Sequence, residues 1–142
     1  MADLDFNITN PNKIVIPLWN SLRFNPADGG TYFFTQWVNS GVDQTESSAA
    51  IIAPVSMTIK SFYGAFYSSA GSNEAVTFSI GINGVYTVVS DTFQMTATEN
   101  FLSNNSLNIS VAQGDKITVR MLCPTWATNP SNLRGSINLY AQ

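Results

Sequence analysis

Few side chains in this sequence are equipped to do chemistry, and the carboxylates are the most numerous of them. Asp43 and Glu46 stand three apart, while Glu74, Asp91 and Glu99 fall in or near expected turns. A glycosidase needs two carboxyl groups held roughly 5–10 Å apart across a sugar. Nine acids spread singly along the chain define no such pair and read more simply as solvated turn residues. No loop carries the spaced Asp and Asn ligands of a calcium site. Histidine is absent, which removes Ser-His-Asp and Cys-His nucleophiles and histidine-ligated zinc. The single cysteine, Cys123, has no disulfide partner in the chain and cannot alone build a cysteine metal site. The expectation is a protein without catalysis, metal or cofactor.

Aromatic residues remain as the groups able to make contacts. Trp19, Trp37 and Trp126, with Tyr32, Tyr63, Tyr67, Tyr86 and Tyr140, exceed what a core of this size must hold. Rings of this kind stack on sugars, or are buried in subunit interfaces with the polar tip satisfied. Trp126 lies in a loop bracketed by Pro124 and Pro130, so it is either an exposed ligand or surface contact or a lid folded over the core. Tyr32, Phe34 and Trp37 belong to a run dense enough to occupy both faces of one strand. That pattern suits a subunit interface, with a buried inner strand as the plain alternative.

Composition narrows the setting. Charged residues are 11% of the 142, against roughly 25% in an average soluble domain. Neutral polar residues replace them, with 44 positions occupied by Asn, Ser or Thr. Seventeen aromatics are too much apolar surface for a disordered chain. A net charge of −3 argues against tracking along nucleic-acid phosphates. The acidic start, Met1 to Phe6, has no apolar signal-peptide core, and no stretch reads as a membrane span. The sequons at Asn7, Asn104 and Asn108 read as coincidence in so Asn-rich a chain.

The elements that must position these residues are strands. Val76, Phe78, Ile80 and Ile82 alternate with polar or small residues, Asn83-Gly84 follows, and Val85 to Val89 continues. Asn-Gly between two such runs predicts a hairpin, because both residues tolerate positive φ. Leu107, Ile109 and Val111 alternate up to Gln113-Gly114-Asp115, which turns the chain into a strand over Ile117 to Cys123. On that register Cys123 points inward. A last strand spans about Leu133 to Tyr140, with Leu133, Ile137 and Leu139 toward the core. In the first half, Tyr32 to Val38, Ile51-Ile52, and Val55 to Tyr67 give further strands. The total is eight or nine short strands with Gly, Asn and Pro turns, which predicts an all-β jelly-roll sandwich of about eight strands. Residues 1–30 carry three of the six prolines and no long alternation. They read as an extended N-terminal arm leading into a sandwich over 31–142, or equally as an edge strand and loop.

Three segments carry a resemblance: Ala53 to Lys60, Phe78 to Val85, and Ile109 to Val119. Together they look like the short jelly-roll modules of tailed-phage virions, which are similar in plan to tumour-necrosis-factor and C1q heads. The resemblance covers about residues 31–142 and rests on a hairpin and a Gly-Asp turn. It implies a homotrimer on a virion surface: a capsid decoration (cement) protein, or the carbohydrate- or receptor-binding head of a tail fibre or spike. Lacking a shaft or coiled coil, the chain fits decoration better. A free-standing lectin-like module is the reading from outside virions. In the decoration reading Ile14, Val15, Ile16, Leu18 and Trp19 anchor the arm on the major capsid protein, and Tyr32, Phe34 and Trp37 form the trimer interface. Removing residues 1–25 should then leave the sandwich folded. A host glycan is the further partner of the alternative, with Trp126 as its contact; neither nucleic acid nor membrane is expected.

Overall fold

The computed structural model describes residues 14–20, 24–34, 42–43, 45–71 and 73–142. The described strands are β1 (Ile14–Asn20), β2 (Thr31–Phe34), β3 (Val42–Asp43), β4 (Ile51–Ile52), β5 (Met57–Ser68), β6 (Ala75–Ile82), β7 (Val85–Gln94), β8 (Thr98–Asn104), β9 (Ile109–Val111), β10 (Lys116–Leu122) and β11 (Arg134–Ala141). One helical turn, α1 (Glu46–Ala49), lies between β3 and β4.

The eight strands of four or more residues make two antiparallel sheets. Sheet 1 runs β1-β11-β5-β8, with β9 beside the start of β5; sheet 2 runs β3-β2-β10-β6-β7, with β4 beside the start of β10. The protein is an all-β jelly-roll sandwich, as the alternation and turn spacing predict. The hairpin forms where Asn-Gly places it: Asn83 has φ 50°, Gly84 has φ 82°, and Ile82 pairs with Val85.

Each sheet sends alternate residues inward, and the interior is aromatic. Phe78 sits at its centre, with ring centroids of Phe66, Phe93, Phe62 and Phe34 at 5.2, 5.8, 5.9 and 6.1 Å. Ile59, Ile80, Ile117, Val119, Leu133, Ile137 and Leu139 complete a buried core from both sheets. Cys123 is buried at its margin, as its register requires, and burial pushes its thiol up to about 12.

Two differences from the sequence reading stand out, the first of them in the described part of residues 1–30. Over Ile14–Asn20 the chain is an edge strand of sheet 1, paired from Ile14↔Ala141 to Asn20↔Ser136. Pro17 does not end the strand, because an edge tolerates a residue without an N–H; the ladder slips between Pro17 and Trp19 instead. Residues 24–30 are also stitched in. Phe24 exchanges backbone hydrogen bonds with Leu133, Asn25 Oδ1 accepts from the Asn132 amide, and the Gly29 amide donates to the Pro124 carbonyl. An arm independent of the sandwich is therefore absent from these residues; the edge-strand-and-loop alternative describes them. The second difference is β8, a strand that the alternation does not predict, and Asp91, expected in or near a turn, lies within β7.

Candidate functional site

The two outer faces of the sandwich differ in how they are closed. On sheet 2, the 45–50 segment lies against β2 and β10, burying Ala49 and Phe33. The Arg120 guanidinium stacks 3.6 Å from the Tyr86 ring centroid, and the Thr118 hydroxyl donates to Glu46 Oε1 at 3.2 Å. Burial, reinforced by the Glu46 carboxylate, pushes the Tyr86 phenol up to about 12. Gly81 makes room for this layer, since a Cβ there would meet Thr118 Oγ1 and the Tyr86 ring. The layer is a built structural cover.

Sheet 1 leaves its outer face open. Phe101 is 74% exposed, Val15 65% and Tyr63 44%. The register explains the arrangement. Along β5, Phe62 and Phe66 point into the core while Tyr63, Ala65 and Tyr67 point out. Ala65 is flanked by Ser136 on β11 and Phe101 on β8; Tyr63 by Asn138 and Ser103; Tyr67 by Arg134 and Glu99. Each tyrosine thus lies between two polar residues, and the row between the tyrosines has small residues beside one protruding ring. Tyr63 and Tyr67 are four positions apart along β5, roughly 13 Å at about 3.3 Å per residue.

Two concavities result, one on either side of Phe101. The larger, about 290 Å³, lies among Phe101, Tyr67, Arg134, Glu99, Gly135 and Ser136. The smaller, about 190 Å³, lies among Phe101, Tyr63, Ser103 and Asn138. The Arg134 guanidinium sits 4.3 Å from the Tyr67 ring centroid, which fixes its position on one wall. Gly135 lets β11 come close to β5, because a Cβ there would collide with the Ala65 carbonyl oxygen.

The residues singled out from sequence fall differently. Tyr32 and Phe34 are core residues, 8% and 0% exposed, and cannot be a surface between subunits. Phe34 lies in the aromatic cluster, and the Tyr32 hydroxyl is satisfied within the chain by the Ala27 amide at 2.9 Å. Trp37 lies outside the described residues, and so do the side chains of Ile14, Leu18 and Trp19. Val15 is exposed on sheet 1, whereas Ile16 packs against the core. Trp126 is the lid, 6% exposed, rather than an outward contact. Asp28 causes this: its Oδ1 accepts from the Trp126 amide at 3.1 Å and from Asn129 Nδ2 at 3.2 Å, drawing the proline-bracketed loop down. Phe101 was missed because Glu99-Asn100-Phe101-Leu102-Ser103 lacks apolar alternation. A signal was present in Phe62-Tyr63-Gly64-Ala65-Phe66-Tyr67, where each phenylalanine is followed by a tyrosine of opposite facing. Of the acids, Glu46 is tied to Thr118, and Glu99 stands at the sheet-1 cleft.

No protein-family model matches the chain, and no curated protein sequence does. Solved structures do. The VP2 subviral particle of infectious bursal disease virus superposes on 91% of this chain with a TM-score of 0.59 at 15% identity. The Gx strain of the same virus gives a TM-score of 0.58, also at 15% identity and over 91% of the chain. A looser match, with a TM-score of 0.45 at 12% identity, is the GH26-CBM35 mannanase of Podospora anserina, over 94% of this chain and 28% of that one. The chain spans 31% of the length of either viral protein. The fold is thus one that a viral capsid protein also uses.

Proposed function

We propose that this protein is a non-enzymatic structural component of a virion, displayed on the capsid surface as a decoration protein and assembled as a homotrimer. The observation that carries the reading is the jelly roll itself, which the infectious bursal disease virus structures share over nine-tenths of this chain. The tailed-phage setting rests on the sequence resemblance over 31–142. The low charge and apolar surface favour protein partners over nucleic acid or solvent. The major capsid protein is the proposed partner. Since Tyr32 and Phe34 are interior, self-assembly would use other side chains, such as Val85 and Val88 on β7, which forms the outer edge of sheet 2 and exposes them by 73% and 53%. The absence of histidine and the inward cysteine support the non-catalytic, metal-free part of the reading.

Two measurements test it. Light scattering at micromolar concentration should give three times the chain mass of 15.4 kDa; the mass of one chain overturns the trimer. Immunogold labelling of purified particles should decorate the capsid shell. Label confined to tail tips would transfer the protein to the fibre-head reading, and unlabelled particles would overturn the virion role.

A further inference from the structure

We infer that the outer face of sheet 1 binds a neutral oligosaccharide across the two clefts beside Phe101. The inference concerns a site and ligand class of its own and does not depend on the decoration role. Sugars present two kinds of surface, apolar C–H faces and edges of hydroxyls that donate and accept hydrogen bonds together. The sheet-1 face offers both. Phe101 stands between the clefts as a shared wall, with Tyr67 closing one and Tyr63 the other. The aromatic walls are separate rings set among polar residues, which suits an amphipathic ligand better than the continuous apolar core of a protein interface. At the rim of the larger cleft Arg134 donates and Glu99 accepts, so both halves of a hydroxyl find partners. At the smaller cleft Asn138 and Ser103 each supply both functions.

Charge selects the neutral class. Arg134 and Glu99 oppose each other across the same cleft, giving it no net sign, and the second cleft has no charged residue. Position also favours binding without rearrangement. The floor belongs to β5 and β11, which are paired on both sides in sheet 1, Phe101 and Glu99 stand on the edge strand β8, and Arg134 is held over Tyr67. A site made on rigid strands loses little entropy when it is filled. The roughly 13 Å between the tyrosines calls for a ligand longer than a single ring.

The test is titration calorimetry of the full chain with maltohexaose, cellohexaose, xylohexaose and chitohexaose, alongside light scattering. At least one hexasaccharide should bind with dissociation constants no weaker than millimolar. Phe101→Ala and Tyr67→Ala should each weaken it roughly tenfold or more, as expected for losing a ring that becomes buried. Phe101 is exposed and Tyr67 half-buried, and circular dichroism checks that the variants remain folded. Val88→Ser, on the other sheet, should leave affinity unchanged. No binding by any of the four sugars overturns the proposal, as does binding that Phe101→Ala leaves intact. If the native chain self-associates and Phe101→Ala makes it monomeric, the face is a contact between copies and the sugar proposal falls.

Discussion

Trp126 illustrates how one acid decides the role of an aromatic. Its ring is inside because Asp28 holds its amide, yet its indole Nε1 is buried without a hydrogen-bond partner among the described residues. A buried unpaired donor costs about 1–3 kcal/mol. Trp126→Phe, which removes that donor and keeps most of the ring, should therefore leave stability within about 1 kcal/mol of the parent or raise it. Trp126→Ala should cost about 3–5 kcal/mol; urea denaturation measures both. Cys123 makes a second residue-scale case. Burial disfavours its thiolate, raising it from 9.0 to about 12 in the folded chain. Below pH 9 the thiol is neutral in both states and its burial goes unopposed. As pH climbs from 9 toward 12 the unfolded chain ionises first, so stability is lost across that window. Tyr86, raised from 10.0 to about 12, acts in the same direction. The urea midpoint should fall over this range, less steeply in Cys123→Ala, and iodoacetamide should label Cys123 at pH 8 only once the chain is unfolded.

At the scale of elements, β1 tests the difference between an arm and a strand. It is paired along β11, and Ile16 packs on the core, so deleting residues 1–20 should destabilise the sandwich instead of sparing it. Losing the partial burial of Ile16 and the edge pairing should cost at least about 2 kcal/mol, lowering Tm by roughly 4–8 °C. Thermal melting checks this, and an unchanged Tm would restore the independent arm. The elements legible in the sequence were those with a period: β6, β7, β9, β10 and β11 follow from alternation and from turns at Asn83-Gly84 and Gly114-Asp115. Those turns are coupled, since Asn83 Nδ2 donates to Asp115 Oδ1 at 2.7 Å while the Ala112 amide donates to Asp115 Oδ2. The Ala112 and Asn83 hydrogen bonds hold the Asp115 carboxyl below its ordinary value. Among the longer strands the least legible, β1 and β8, are edges of sheet 1. An edge needs only one paired side, so Pro17 and a run such as Glu99-Asn100 are permitted there. The open face was illegible because Phe101 is carried by β8 and its neighbours on β5 and β11 come from residues 33 or more positions away.

For the whole molecule, the order of the strands in space matters as much as their number. β10 is interior to sheet 2, between β2 and β6, and β11 is interior to sheet 1, between β1 and β5. The last two strands in sequence are thus the ones that join everything before them. Without Arg134–Ala141, β1 has no partner in sheet 1, and β5 loses the neighbour opposite β8. The hairpin β6–β7 can form early from local contacts, but Ile14 must wait for Ala141, which lies at the far end of the described chain. Such non-local closure places refolding in the millisecond-to-second range, which stopped-flow tryptophan fluorescence can measure. Until then β1, β5 and the apolar interior are exposed to any other chain nearby. During folding the protein is therefore most open to mispairing before β11 arrives, and a cell making many copies must keep such half-closed chains apart.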